Sequence, residues 1–148
     1  MRATFPVTVH LLFFKEGKVL LSRRCRTGYM DGYYSVPAGH LEGEETVTRA
    51  AIREAREEVG LELDPAQIAF ACVIHRSEGE ERVDFFVRVN SWQGEPVNAE
   101  PAKCDDLRWC KVNALPENTV PYVRQGIHNA LTGVTFSEFG WQEKRPAN

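Results

Sequence analysis

Apolar and polar positions alternate along the chain in short blocks, and the period of each block predicts its element. Residues 6–14, rich in β-branched and aromatic side chains, read as a strand. Lys15-Glu16-Gly17-Lys18 turns the chain, and residues 19–22 return as the second arm of a hairpin. Residues 23–32 are polar and glycine-containing, hence a loop, and residues 33–36 form a short strand closed by Pro37. Residues 68–75 and 82–89 are two further strands joined by the polar turn 77–81, and residues 107–112 are another, after a loop over 92–101. Residues 46–59 and 119–131 carry a helical period. Thr46 is the N-cap of the first, with Glu44 and Glu45 at the positive end of its dipole and Gly60 at its C-terminal stop. Pro121 lies in the first turn of the second, whose apolar stripe is Val120, Val123, Ile127, Ala130 and Leu131. Beyond Gly133 the aromatics Phe136, Phe139 and Trp141 predict that part of the tail packs, while the last few residues fray.

The 148 residues suit a single domain over 1–148, with neither repeat nor linker to divide it. With 43% hydrophobic and 26% charged residues, disordered and collagen-like classes are excluded. A net charge of -3 argues against coating a nucleic-acid polymer, but it leaves small anionic substrates open. No apolar run approaches the ~20 residues of a membrane span. Arg2 precedes an apolar stretch without a small-residue cleavage site after it, so the expectation is a chain retained in the cytoplasm, away from membranes. Cys25, Cys72, Cys104 and Cys110 include no Cys-x-x-Cys pair, which predicts reduced thiols and no zinc site.

The chemistry concentrates in residues 39–61. On a helix of about 100° per residue, with Glu54 at zero, Glu57 falls near -60° and Glu58 near +40°. Three carboxylates thus share one narrow face, bordered by the apolar positions Ile52, Ala55 and Val59. Farther along that face the small residues Ala50 and Ala51, with Val47, let another backbone approach closely. Carboxylates one turn apart lie about 5–6 Å from each other at Cβ and repel. Arg53 relieves part of this, and a hard divalent cation would relieve more, because carboxylate oxygens are its preferred ligands. Spacing alone leaves open a solvated acidic face balanced by Arg53 and Arg56.

Gly39, Glu45, Arg53, Glu54, Ala55, Glu57, Glu58, Gly60 and Leu61 stand at the spacing of the Nudix hydrolase signature, so the segment resembles that family. Every fixed position matches, and only Ala55 is smaller than the bulky apolar residue often found there. A chance match at seven fixed positions is rarer than about one in a million. The resemblance implies an α+β fold in which a mixed sheet lies between helices. It also implies hydrolysis of a nucleoside diphosphate linked to another group, with Mg²⁺ as cofactor and Mn²⁺ as a substitute. On that resemblance Glu57 and Glu58 are the main metal ligands, joined by Glu54 and the Gly39 carbonyl. Glu54 is ligand or water-activating base, Arg53 orients the glutamates, and Glu45 braces the loop.

Outside the signature, Arg24 sits where relatives often carry a phosphate-contacting arginine, alongside Arg23 and Arg26. His40 either bonds a phosphate or braces the loop. Glu100 lies in a stretch, residues 98–104, that resembles one in nucleotide-cleaning members and is a further candidate ligand or base. Tyr29, Tyr34, Phe85 and Trp109 are candidates to stack on a base, against the commoner role of strand aromatics in a core.

Second motifs of other branches are missing. The long aromatic-proline run of the NADH pyrophosphatases does not occur, and residues 77–79 include no tyrosine of the diadenosine polyphosphate type. The coenzyme A pattern is incomplete, with Val36-Pro37-Ala38-Gly39 at its end. The expectation is therefore an enzyme of the MutT-like branch that cleaves a nucleoside triphosphate, including oxidised or modified purine nucleotides, to monophosphate and pyrophosphate. A sugar-nucleotide or CDP-alcohol pyrophosphatase is the alternative, and a non-catalytic nucleotide-binding module a more distant one. Many relatives pair as homodimers, and the sequence leaves that state open.

Overall fold

The computed structural model describes residues 1–142, and the fraying expected for the last few residues lies outside them. Strand β1 (Val7–Lys15) runs through the middle of a mixed sheet. Its side chains alternate between the two faces, as a strand dictates. Val9, Leu11 and Phe13 enter one apolar cluster, and Leu12 with Phe14 joins the other. A strand buried on both faces needs a nearly continuous apolar run, which is why residues 9–13 include no exposed position. Each fully buried side chain of this size contributes about 1.5–3 kcal/mol relative to exposure.

One edge of β1 pairs in parallel with β6 (Glu80–Val89), which lies antiparallel to β5 (Ile68–Glu78). The other edge is shared. At its end β1 pairs with β2 (Lys18–Arg24) through Phe14↔Val19 and Lys15↔Lys18. At its start it pairs with β4 (Ala38–His40) through Val9↔Gly39. Between these contacts β2 diverges to join β3 (Tyr34–Ser35) and β7 (Cys104–Lys111). A cleft of about 900 Å³ opens beside the divergence, with Thr8, His10, Ser22 and Arg24 on its walls.

Helix α1 (Val47–Val59) covers one face of the sheet and buries Ala50, Ala51, Ala55 and Val59. Thr46 Oγ1 accepts from the Arg49 N–H at 3.1 Å, and Gly60 ends the helix at φ +69°, a left-handed conformation that favours glycine. Helix α2 (Pro121–Thr132) covers the other face so closely that a Cβ on Gly126 would lie 2.3 Å from the Phe86 ring.

Several boundaries differ from the sequence expectation. Strand β2 continues through Arg24, because β7 supplies a ladder partner as far as Cys104. Strands β5 and β6 lengthen until only Gly79 separates them. Strand β4 falls in a stretch to which the sequence assigned no element, and β8 (Phe136–Phe139) adds an unforeseen parallel edge to β5. Helix α2 begins at Pro121, two residues late, and Leu131 is exposed while Tyr122 and Asn129 turn inward. In the tail Phe139 packs on the core and Phe136 is exposed, while the Trp141 indole N–H donates to the His75 carbonyl at 2.9 Å. All four cysteines are free thiols. Among the described residues no helix is long and apolar enough to cross a membrane.

Candidate functional site

Helix α1 presents Glu54, Glu57 and Glu58 to the cleft, and β4 forms the facing wall. Each carboxylate is held in a different way. Glu54 is buried and lies against Gly39, where a Cβ would sit 1.9 Å from its Oε1. Only glycine leaves room there, which is the local reason for the first residue of the signature. Glu58 Oε2 accepts from the Ala38 N–H at 2.9 Å. Glu57 is largely exposed and meets Arg53 Nη1 at 3.3 Å.

Arg53 is the hub. Its Nε and Nη2 donate to the two oxygens of Glu45 at 2.7 and 2.9 Å, a forked pair. Nη1 donates to Glu54 Oε1 at 2.8 Å, and Nη2 also reaches the His40 carbonyl at 3.0 Å. Glu45 Oε1 accepts the Glu42 N–H at 3.0 Å. One guanidinium therefore ties the segment 40–45 to the helix. It holds the Glu45 carboxyl down to about 2, with help from the Glu42 N–H.

The other carboxylates are pushed the opposite way. Burial raises Glu58 to about 8; Glu54 and Glu100 add to the rise and the Ala38 N–H opposes it. Burial also raises Glu54, against the pull of Arg53, with Glu57 and Glu100 adding. Two crowded acids beside a third make a place where added positive charge is favourable. Their oxygens, with the carbonyl of Gly39, are the hard donors that suit a divalent cation, so the donor set fits. Among the described residues no three acidic, histidine or cysteine side chains yet converge on one point. The reason is visible: Arg53 draws in Glu54 and Glu57, and Ala38 holds Glu58.

The remaining expected residues reach the same cleft. Arg24 lines it, but its Nε donates to the Tyr29 carbonyl at 2.7 Å and its Nη2 to Thr27 Oγ1 at 3.1 Å, so it also braces the neighbouring loop. His40 is exposed, with its Nε2 3.2 Å from Arg82 Nη1. Glu100 is half-buried on the wall, on a loop that clasps the helix end through the Ala99 N–H and the Glu58 carbonyl at 3.0 Å. Of the four aromatics only Tyr29 lines the cleft. Tyr34 is buried and donates its hydroxyl to Asp106, and Trp109 stacks on Trp92 with centroids 6.0 Å apart.

The sequence reading missed a buried polar group on the α2 side: His10, Arg76, Asp84 and Tyr122. Asp84 takes Arg76 in a forked pair at 2.7 and 3.2 Å, and the guanidinium lies 3.6 Å from the centroid of the Tyr122 ring. Burial drives the His10 imidazole down to about 4 despite the nearby Asp84, so it is neutral. Charged residues on the inward-facing register of apolar strands were the available signal.

Comparison with known proteins agrees with this geometry. Residues 4–129 match the NUDIX domain family. The chain is 41% identical over 143 residues to the phosphatase NudJ of Escherichia coli (strain K12), covering 91% of this chain and 92% of that one. It is 29% identical over 111 residues to the NAD-capped RNA hydrolase NudC of Stutzerimonas stutzeri, covering 72% of this chain and 36% of that longer relative. The crystal structure of a MutT NUDIX hydrolase from Burkholderia pseudomallei superposes with a TM-score of 0.78 at 26% identity, covering 86% of this chain and 98% of that one. With the family's signature at the cleft, its fold around it and these relatives beside it, the chain belongs to the Nudix hydrolases and is an enzyme of the pyrophosphohydrolase type.

Proposed function

We propose that the chain cleaves a nucleoside triphosphate to nucleoside monophosphate and pyrophosphate in a reaction that depends on Mg²⁺, with Mn²⁺ as a substitute. The observation that carries this reading is the pair Glu54 and Glu58, crowded with Glu100 in the cleft and both raised in pKa by burial. Glu57, Glu58, Glu54 and the Gly39 carbonyl are the groups that would hold the cation. When bound, such an ion neutralises phosphate charge and acidifies a water. Arg53 keeps the glutamates in register, and Glu54 or Glu100 accepts the proton of the attacking water. Arg24 and His40, which also line the cleft, are the groups that would meet the phosphates. Modified purine nucleotides as substrates and a cytoplasmic setting belong to this reading, supported by the likeness to MutT-type enzymes.

A second reading has one observation in its favour. The relative at 41% identity over nearly its full length is named a phosphatase, which points to release of orthophosphate from a terminal anhydride. Phosphorus NMR of the products separates the two. Monophosphate plus pyrophosphate from a panel of triphosphates supports the first reading, and diphosphate plus orthophosphate the second. No Mg²⁺-dependent cleavage of any nucleotide contradicts both.

A further inference from the structure

Glu54, Glu57 and Glu58 are each aimed by a bond to the carboxylate itself, from Arg53 or from the Ala38 N–H. Glu100 is held differently. Among the described residues it bonds through its backbone alone. Its N–H donates to Asn98 Oδ1 at 3.2 Å, and its carbonyl accepts from the N–H groups of Lys103 and Cys104, each at 3.0 Å. Glu100 still lines the cleft, and its charge is near enough to push up both Glu54 and Glu58. Where its carboxylate points is therefore decided by the backbone of residues 97–104.

Two devices hold that backbone. The first ties the loop to the end of α1. The Val97 N–H donates to the Val59 carbonyl and the Ala99 N–H to the Glu58 carbonyl, both at 3.0 Å. The second is Asn98. Its Oδ1 takes the Glu100 N–H in an Asx-type turn, and its Nδ2 donates to the Cys104 carbonyl at 2.7 Å, where β7 begins. One carboxamide thus uses both of its ends to close the loop around Glu100. Asn98 and Ala99 are exposed, so little apolar burial fixes this stretch and its bonds must do so. Asn98 itself is not part of the cleft wall.

We propose that Asn98 is a positioning residue for the hydrolysis: its carboxamide fixes the Glu100 backbone so that the Glu100 carboxylate meets the reacting centre beside Glu54 and Glu58. The inference rests on the proposed function, with Glu100 taking part in the chemical step. Asn98 acts through Glu100 and not on the substrate.

The test is a double-mutant cycle of wild type, Asn98→Ala, Glu100→Gln and the double variant, turning over a nucleoside triphosphate in Mg²⁺. Amide hydrogen exchange of the metal-free proteins by NMR runs beside it. Asn98→Ala should lower kcat about tenfold and change KM by less than about twofold. In the Glu100→Gln background the same substitution should lower kcat by less than about twofold, because no carboxylate is left to misplace. Exchange of the Glu100 N–H should quicken about fivefold in Asn98→Ala, while the Val97 and Ala99 N–H groups, bonded to α1, keep their rates. Asn98→Ser keeps an acceptor for the Glu100 N–H and should show the same non-additivity with a smaller loss, which keeps the test open if Asn98→Ala fails to fold. Equal losses in the two backgrounds, full activity in Glu100→Gln, or exchange quickened alike at Val97, Ala99 and Glu100 overturns the proposal and leaves the proposed function standing. A wild type without Mg²⁺-dependent cleavage of any triphosphate overturns the proposed function, and the role of Asn98 falls with it.

Discussion

The Glu54 carboxyl group rests on the α-carbon of Gly39, 1.9 Å from where a Cβ would stand. Strand β4 and helix α1 thus meet through a contact that only glycine permits. Gly39→Ala should displace Glu54 and lower kcat by about 100-fold, the usual cost of ångström-scale misplacement at a reacting centre. The obstructing atoms are the end of a flexible side chain, so the melting temperature should change little. Steady-state kinetics beside thermal denaturation checks both halves, and full activity in the variant would contradict the placement.

Glu58 links the site to pH. Its carboxyl group is raised from an ordinary 4.5 to about 8, so the folded state binds its proton more tightly than the unfolded chain does. The stability this adds is fully present below about pH 4.5 and is lost as pH rises through 8. Metal-free protein should therefore lose stability across that window, and Glu58→Gln should flatten the loss while removing turnover. Denaturant titrations of both proteins from pH 4.5 to 9 decide the matter; parallel curves would rule out a strained Glu58.

Arg53 predicts a complementary acid effect. The Glu45 carboxyl is held near 2 by the guanidinium, so its stabilisation is present above pH 4.5 and disappears as pH falls towards 2. Glu45→Gln should lack that acid limb. Arg53→Lys keeps the charge but cannot fork between Glu45 and Glu54, and kcat should fall by roughly 100-fold. Acid-titrated melting curves and kinetics of the two variants provide the check.

A test away from the cleft concerns Gly126, whose Cβ would meet the Phe86 ring at 2.3 Å. Gly126→Ala should overpack the seam between α2 and the sheet and cost about 1–3 kcal/mol by urea denaturation. An unchanged or stabilised variant would mean that α2 sits farther from Phe86.

The acidic helix was legible in the sequence because its signals are local: the Thr46 cap, the Gly60 stop and the spacing of Glu54, Glu57 and Glu58 all lie within fifteen residues of one another. The convergence of Arg24, His40 and Glu100 on the same cleft was legible only through the family resemblance. What escaped depends on pairing between distant segments. Strand β4 exists because Val9 offers Gly39 a ladder partner, and nothing in residues 38–40 alone says so. The group of His10, Arg76, Asp84 and Tyr122 comes from two strands, a third beside them and a helix, up to 112 residues apart. The grip of Arg53 on Glu54 and Glu57 was also hidden, since helical angles place side chains on a face without saying which partner they take.

The most direct test of the central claim is anomalous diffraction from crystals soaked in Mn²⁺. A strong peak should appear bounded by Glu57, Glu58 and the Gly39 carbonyl, with Glu57 released from Arg53. A peak elsewhere, or none, with Glu57 still paired to Arg53 and Glu58 still on the Ala38 N–H, would contradict it.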